Sequence, residues 1–299
     1  MAHQSLVSLV ADLLPGATAE ATVKEGATTS SPGGLTLAER VTRLVNMHSI
    51  RDELRRIGNR EDIAQAYLGD KRLWRERLLP LFDPLAYMAR IGKDVESVCP
   101  LEHYLKSKHT IDPHPVFQTW YYLRITPSIG EFTPLEHYLQ VANPLRVSPN
   151  PLFSASHFMA RLPFTYPKDW NALELFLWLW PHRIVAFSPY VDHVFYAKRN
   201  PEVQESVDPL THYFRADAST RGDLNPRFFR GWYLERYPDL AADTRDCLLH
   251  YLVEGADEGR LPNPLAANDL EALRRAFPDT SIGDLAREYL VVRNPDVYL

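Results

Sequence analysis

One short string recurs along this chain and constrains its fold more than any other feature. PLEHYL stands at 100–105 and again at 134–139, ALELFL at 172–177, PLTHYF at 209–214 and LLHYL at 248–252. Aligned on the residue before the Tyr or Phe, the anchors are His103, His137, Leu175, His212 and His250, separated by 34, 38, 37 and 38 residues. A period of that size marks a stacked repeat, in which each unit is one supersecondary element unable to bury its own apolar face. An aromatic pair precedes each anchor by about half a period: Phe82 with Tyr87, Phe117 with Tyr122, Phe153 with Phe158, Phe195 with Tyr196, and Phe228 with Tyr233. A proline break follows each anchor, at Pro113 and Pro115, Pro149 and Pro151, Pro189, Pro226, then Pro262 and Pro264.

This layout predicts two short helices per unit. The aromatic stretch forms the first. In units four and five the turns Asn200-Pro201-Glu202 and Tyr237-Pro238-Asp239 end it, because a residue before proline avoids helical geometry. The proline of PLEHYL suits the first turn of the second helix, where its missing N–H costs nothing. Leu101, Tyr104 and Leu105 then share one face. Helices this short are marginal alone, so stacked neighbours must cover them. The expected fold is mostly α: stacked helix-turn-helix units in a solenoid-like array with an N-terminal helical cap.

Four segments follow. Residues 1–34 read as a short amphipathic helix (1–14) and a small, polar linker. Residues 35–80 read as a helical segment with a capping box at Thr36 and Glu39 and a second helical pattern through 61–79. The array occupies 81–266. Residues 267–299 carry a further helix, then YLVVRNPDVYL, which looks like half of another unit and makes this stretch a cap or a partial sixth repeat.

The fifth unit is the fullest copy: Tyr233-Leu234, Tyr237-Pro238-Asp239, His250-Tyr251-Leu252, Gly255, Gly259-Arg260, Pro262 and Pro264. This pattern resembles a repeat of bacterial polysaccharide-biosynthesis proteins, where it sits beside glycosyltransferase domains, including those of rhamnan-synthesis type. The resemblance covers about 82–264. It implies an association with surface-polysaccharide assembly and carries no catalytic residue across. Units one to three lack the Gly and Gly-Arg features, and unit three lacks the His. No glycine-rich nucleotide loop or Asp-x-Asp motif accompanies the repeats.

The recurring histidines could be ligands or general bases. Leu175 in the same slot favours packing, with each ring hydrogen-bonded to a turn carbonyl. Glu102 and Glu136, in equivalent slots, are expected to form a solvated stripe rather than a carboxylate pair. Trp120 and Trp232 fall in the first helix and are expected in the core. Trp178 and Trp180 lie where the third unit is stretched by LWLWPHRIVAF. Together with His182 and Arg183 they are the candidate contacts for a protein partner or glycan.

No catalytic, cofactor-binding or metal-binding residues are assigned. Cys99 and Cys247 match no metal or disulfide spacing and are expected as reduced thiols. A net charge of −5 is too mild to imply nucleic acid, and no apolar run approaches the ~20 residues of a membrane helix. A cytoplasmic protein is expected, with oligomerisation open. The leading reading is a non-catalytic binding or scaffold module whose partner is a protein, such as a glycosyltransferase, or a glycan. The alternatives are a glycosyltransferase-like enzyme, or part of one, and a structural self-assembling protein.

Overall fold

The structure, a computed structural model, describes residues 32–46, 50–94, 97–107, 111–126, 128–140, 147–163, 170–180, 185–204, 207–217, 220–242 and 246–292. Regular structure in these residues is helical throughout, with no strand among them. The helix expected over 1–14, most of the linker, His182, Arg183 and the Asn294-Pro295-Asp296 turn lie outside the described residues.

Helix α1 (Leu37–Leu44) carries the expected reciprocal cap between Thr36 and Glu39. Helices α2 (Asp52–Arg55) and α3 (Arg60–Gly69) follow. The helical pattern through 61–79 breaks at Gly69. Asp70 then caps a 3-10 turn at Lys71–Leu73, leaving Trp74 and Leu78 buried in the non-helical chain beyond.

Each of the five units supplies two helices of about two turns or less. The first helices are α4 (Pro84–Arg90), α6 (Thr119–Ile125), α8 (Ala155–Met159), α10 (His193–Arg199) and α12 (Arg230–Arg236). The second helices are α5 (Pro100–Lys106), α7 (Pro134–Gln140), α9 (Ala172–Leu179), α11 (Pro209–Arg215) and α13 (Cys247–His250), the last continuing as a π turn over Tyr251–Gly255. Three rings fill most units, one from the proline turn and one from each helix. Phe117, Tyr122 and Tyr138 meet at centroid distances of 5.4 to 5.7 Å, and Phe228, Tyr233 and Tyr251 at 5.0 to 5.8 Å. Unit four departs from the sequence expectation. Buried Val191 takes the turn position, while Phe195 sits half-buried under the Arg199 guanidinium at 3.7 Å.

The units are joined by a repeated backbone hydrogen bond. The amides of Asp83, Gln118, Ser154, Asp192 and Phe229 donate to the carbonyls of Pro113, Pro149, Phe187, Leu224 and Pro262 at 2.9 to 3.1 Å, each carbonyl lying at the start of the next unit. Asparagines before the turn prolines add a second bond. The Nδ2 of Asn150, Asn225 and Asn263 donates to Val116, Tyr190 and Arg227 of the preceding unit. Their Oδ1 accepts from the amide two residues on, which locks the turn. The proline breaks thus leave few buried backbone groups orphaned.

The array also winds back on itself. Arg215 of unit four reaches Asp83 of unit one, and Arg124 of unit two reaches Glu254 of unit five. Units three places apart therefore touch. The N-terminal segment is bonded to unit two, where Arg40 forks onto Glu136 at 2.8 and 2.7 Å. Glu136 is 1% exposed, and its partner slot Glu174 is buried too. Only Glu102 is partly open, bridged to Lys106 one turn along. This overturns the expected solvated stripe: Arg40 of the N-terminal segment covers Glu136, and Glu174 is buried within the array. Asn263-Pro264 opens a further helix pair, α14 (Ala266–Ala276) and α15 (Ile282–Leu290), which rests on unit five through Arg287 and the Leu252 carbonyl.

Candidate functional site

Four of the five units keep a histidine at the anchor. Tyr87, Tyr122, Tyr196 and Tyr233 on the first helices are hydrogen-bonded through their hydroxyls to Nδ1 of His103, His137, His212 and His250 at 2.8, 2.7, 2.8 and 3.1 Å. The partner is a tyrosine of the same unit, not the turn carbonyl that the sequence suggests. Burial lowers the pKa of His137, and of His103 with help from Lys93, favouring neutral rings. A neutral ring can accept the tyrosine proton at Nδ1. Unit three holds Phe158 and Leu175 in these two slots, so hydroxyl and imidazole are lost together.

The tyrosine after each anchor points to the next unit. Tyr138 donates to Asn171 at 2.8 Å, and Tyr213 to Asp246 at 2.7 Å, while Tyr104 accepts from the Leu135 amide. Asn171 and Asp246 cap the N-termini of the following second helices, so each hydroxyl fixes a cap. Unit three again differs, with Phe176 in this slot. The corresponding cap, Asp208, holds the Thr211 amide. Burial raises its pKa, and Thr211 and the charge of Arg77 act against that.

The other motif residues of unit five form a turn clasp. Arg260 forks onto Asp239, bonds Glu258 and lies 4.9 Å from the Tyr237 ring centroid. Tyr237 accepts from the Leu261 amide. A Cβ on Gly255 would stand 2.3 Å from the Tyr233 hydroxyl and 3.3 Å from the His250 ring, so glycine lets the turn close on the Tyr–His pair.

Trp178 and Trp180 are half-buried against the core. Trp178 packs on Trp170 at 5.4 Å. Trp180 contacts Phe176 at 5.7 Å, Phe187 at 6.1 Å and His193 at 6.2 Å. Trp180 thus stands beside a histidine whose pKa burial lowers against the pull of Asp192. Trp120 and Trp232 likewise pack on the core while remaining partly open.

The winding builds a charged junction that local sequence does not announce. Arg77 and Arg215 both bond Asp83 Oδ2. Burial raises the Asp83 pKa, but the Ala86 amide and the two arginines outweigh it and hold the carboxyl below its ordinary range. His114, fully buried in the turn slot that asparagine takes in three other turns, accepts from the Val116 amide at Nδ1. Burial, reinforced by Arg77, keeps its pKa well below the ordinary value. The Arg77 and Arg215 side chains stay 37% and 40% exposed, and each commits one nitrogen to Asp83. Their remaining N–H donors suit a carboxylate or phosphate at the rim. Asp83 and Arg215 are 132 residues apart, so only the three-unit winding could have revealed the pair.

Among the described residues no His, Cys, Asp and Glu group could hold a metal ion, and Cys99 and Cys247 are free and buried. No described helix is long and apolar enough to cross a membrane. No family model, curated protein sequence or solved structure matches the chain.

Proposed function

We propose that this chain is a non-catalytic binding and scaffold module of bacterial surface-polysaccharide assembly, holding a glycosyltransferase or its glycan product against unit three. The observation that carries the reading is the use made of the recurring polar residues. The Tyr–His pairs, the tyrosine-to-cap bonds and the Asp239–Arg260 clasp each hold helix to helix or turn to turn. Their recurrence is explained by the frame. Unit three, where the frame is apolar and the tryptophans reach the surface, is where the array is free to differ. Partly open Trp rings suit sugar faces and protein hot spots. The association with polysaccharide assembly rests on the resemblance of unit five to the repeat of that family.

The test is binding of a purified glycosyltransferase and, separately, of its oligosaccharide product, followed by calorimetry. Saturable binding to one of them, with no consumption of sugar nucleotides, is expected. Trp178→Ala with Trp180→Ala should weaken it at least tenfold while the helical signal is kept. Turnover of a sugar nucleotide by the chain alone would overturn the proposal, as would binding indifferent to both tryptophans.

A further inference from the structure

One proline turn departs from the hydrogen bonding of the others. Asn150, Asn225 and Asn263 each spend Oδ1 on the amide two residues on and Nδ2 on a carbonyl of the preceding unit. His114, in the same slot, makes the first bond and not the second. Its Nδ1 accepts from the Val116 amide, so the proton of the neutral ring sits on Nε2. That nitrogen is buried with no hydrogen-bond partner. A buried donor left over in this way calls for an explanation, of which an ion is one. The charges acting on the ring are those of Arg77, Asp83, Arg215 and Arg90, which places the orphan donor at the winding junction.

The junction also holds more positive charge than it pairs. Arg90 is matched by Asp112 and Arg51 by Glu76. The guanidiniums of Arg77 and Arg215, by contrast, converge on one oxygen, Asp83 Oδ2, while Asp83 Oδ1 is spent on the Ala86 amide. Asp208 acts on Arg77 only from beyond ion-pair distance, and its own oxygen accepts from the Thr211 amide. Two cations therefore share one directly bonded carboxylate, and both side chains stay over a third exposed. We propose that Arg77 and Arg215, beside His114, form a subsite for a singly charged oxyanion with two free oxygens, a carboxylate or a phosphodiester. One such charge balances the unpaired cation, and each guanidinium can take an oxygen in the directional bonding that arginine favours. A phosphate monoester would bring a second negative charge towards Asp83. The subsite draws on the N-terminal segment, the turn that opens unit two, and unit four, so it is separate from the tryptophans of unit three.

Titration of the full chain with glucuronate, with dimethyl phosphate and with glucose, followed by NMR of the arginine side-chain N–H groups, tests this. Saturable shifts with glucuronate or dimethyl phosphate are expected, the tighter of the two naming the source of the oxyanion, and none with glucose. Arg77→Gln with Arg215→Gln should weaken binding at least tenfold. Arg215→Lys keeps a positive charge for Asp83 and removes only the fork, so it should weaken binding at least threefold with the circular dichroism of the parent. Trp178→Ala with Trp180→Ala should leave this binding unchanged, which separates it from any contact on unit three. No saturable shift with either anion would overturn the proposal. So would an equal response to glucose, or a folded Arg215→Lys chain that binds as the parent does.

Discussion

Units two and three occupy adjacent places in the array with the same two-helix plan, yet their interiors follow opposite rules. Unit two joins its helices through Tyr122 and His137, reaches forward through Tyr138 to Asn171, and buries Glu136 under Arg40. Unit three fills the corresponding slots with Phe158, Leu175 and Phe176, and the two phenylalanine rings pack with Phe153 and with each other at 5.4 to 5.9 Å. The lesson is that the polar atoms change in sets. A buried hydroxyl facing leucine, or an imidazole facing phenylalanine, would leave a group unsatisfied at roughly 1–3 kcal/mol, whereas replacing both partners by apolar groups can be nearly neutral. One consequence travels along the chain. With Phe176 unable to reach it, the Asp208 cap leans on Thr211 and on the charge of Arg77 from the N-terminal segment. Unit four, next along the chain from the apolar unit, thus takes part in the charged junction at Asp83 through Arg215.

The largest expected effect lies in the apolar unit. Phe176→Ala removes a ring that contacts Phe153, Phe158, Trp180 and Phe187, and should cost about 3–5 kcal/mol in denaturant unfolding. A cost below about 1 kcal/mol would mean that unit three is not held by packing. Next is the polar unit's buried ion pair. Arg40→Ala strands the Glu136 carboxylate and should cost about 3 kcal/mol, less than a fully enclosed pair because Arg40 keeps some solvent. Arg40→Ala combined with Glu136→Gln should recover part of that loss.

Making unit three polar tests whether its slots accept the polar pair of unit two. Leu175→His alone buries an imidazole opposite Phe158 and should cost about 1–3 kcal/mol. Adding Phe158→Tyr should return the chain to within about 1 kcal/mol of the parent. Equal losses in the single and double variants would show that the slot cannot accommodate the pair.

The smallest effect is a pH dependence. Burial lowers the pKa of His103 and His137 in the folded chain. The unfolded chain therefore binds protons more tightly below the ordinary histidine value of ~6.5. Stability is full above that pH and falls as acid carries it through 6.5 towards the lower folded values. His157, held at about 4 by burial and Arg161, extends the same trend. Tyr122→Phe with His137→Leu should shrink the fall in melting temperature between pH 7 and 5. An unchanged fall would place the acid sensitivity elsewhere.

Much of the architecture is legible in the chain, and for identifiable reasons. The repeat period, the two helices per unit and the capping box at Thr36 are local, because spacing and proline geometry are written in consecutive residues. The structural role of the histidines was readable from Leu175, since a slot that accepts leucine is a packing slot. Their tyrosine partners were visible too, as the loss of Tyr and His in the same unit, but only when two slots about half a repeat apart are compared. Sequence puts Glu136 in a solvated stripe and is wrong there, because its burial depends on Arg40, 96 residues earlier. The Arg77–Asp83–Arg215 junction depends on the winding of the whole array. At unit four the string FY at 195–196 suggested a local pair, whereas Val191 fills the position by its place in the turn. Of the four contact residues expected around unit three, Trp178 and Trp180 sit half-open on the core, while His182 and Arg183 fall outside the described residues.

The central claim is that the recurring tyrosine and histidine build the frame and do no chemistry. A double-mutant cycle at Tyr122 and His137 in unit two, read by denaturant unfolding and by partner binding on the same samples, tests it most directly. The account predicts that Tyr122→Phe and His137→Leu each cost about 1–3 kcal/mol and that the double variant regains at least half of the summed loss. Binding should be unchanged wherever the chain is folded. Strictly additive losses, or a well-folded double variant that no longer binds, would contradict it.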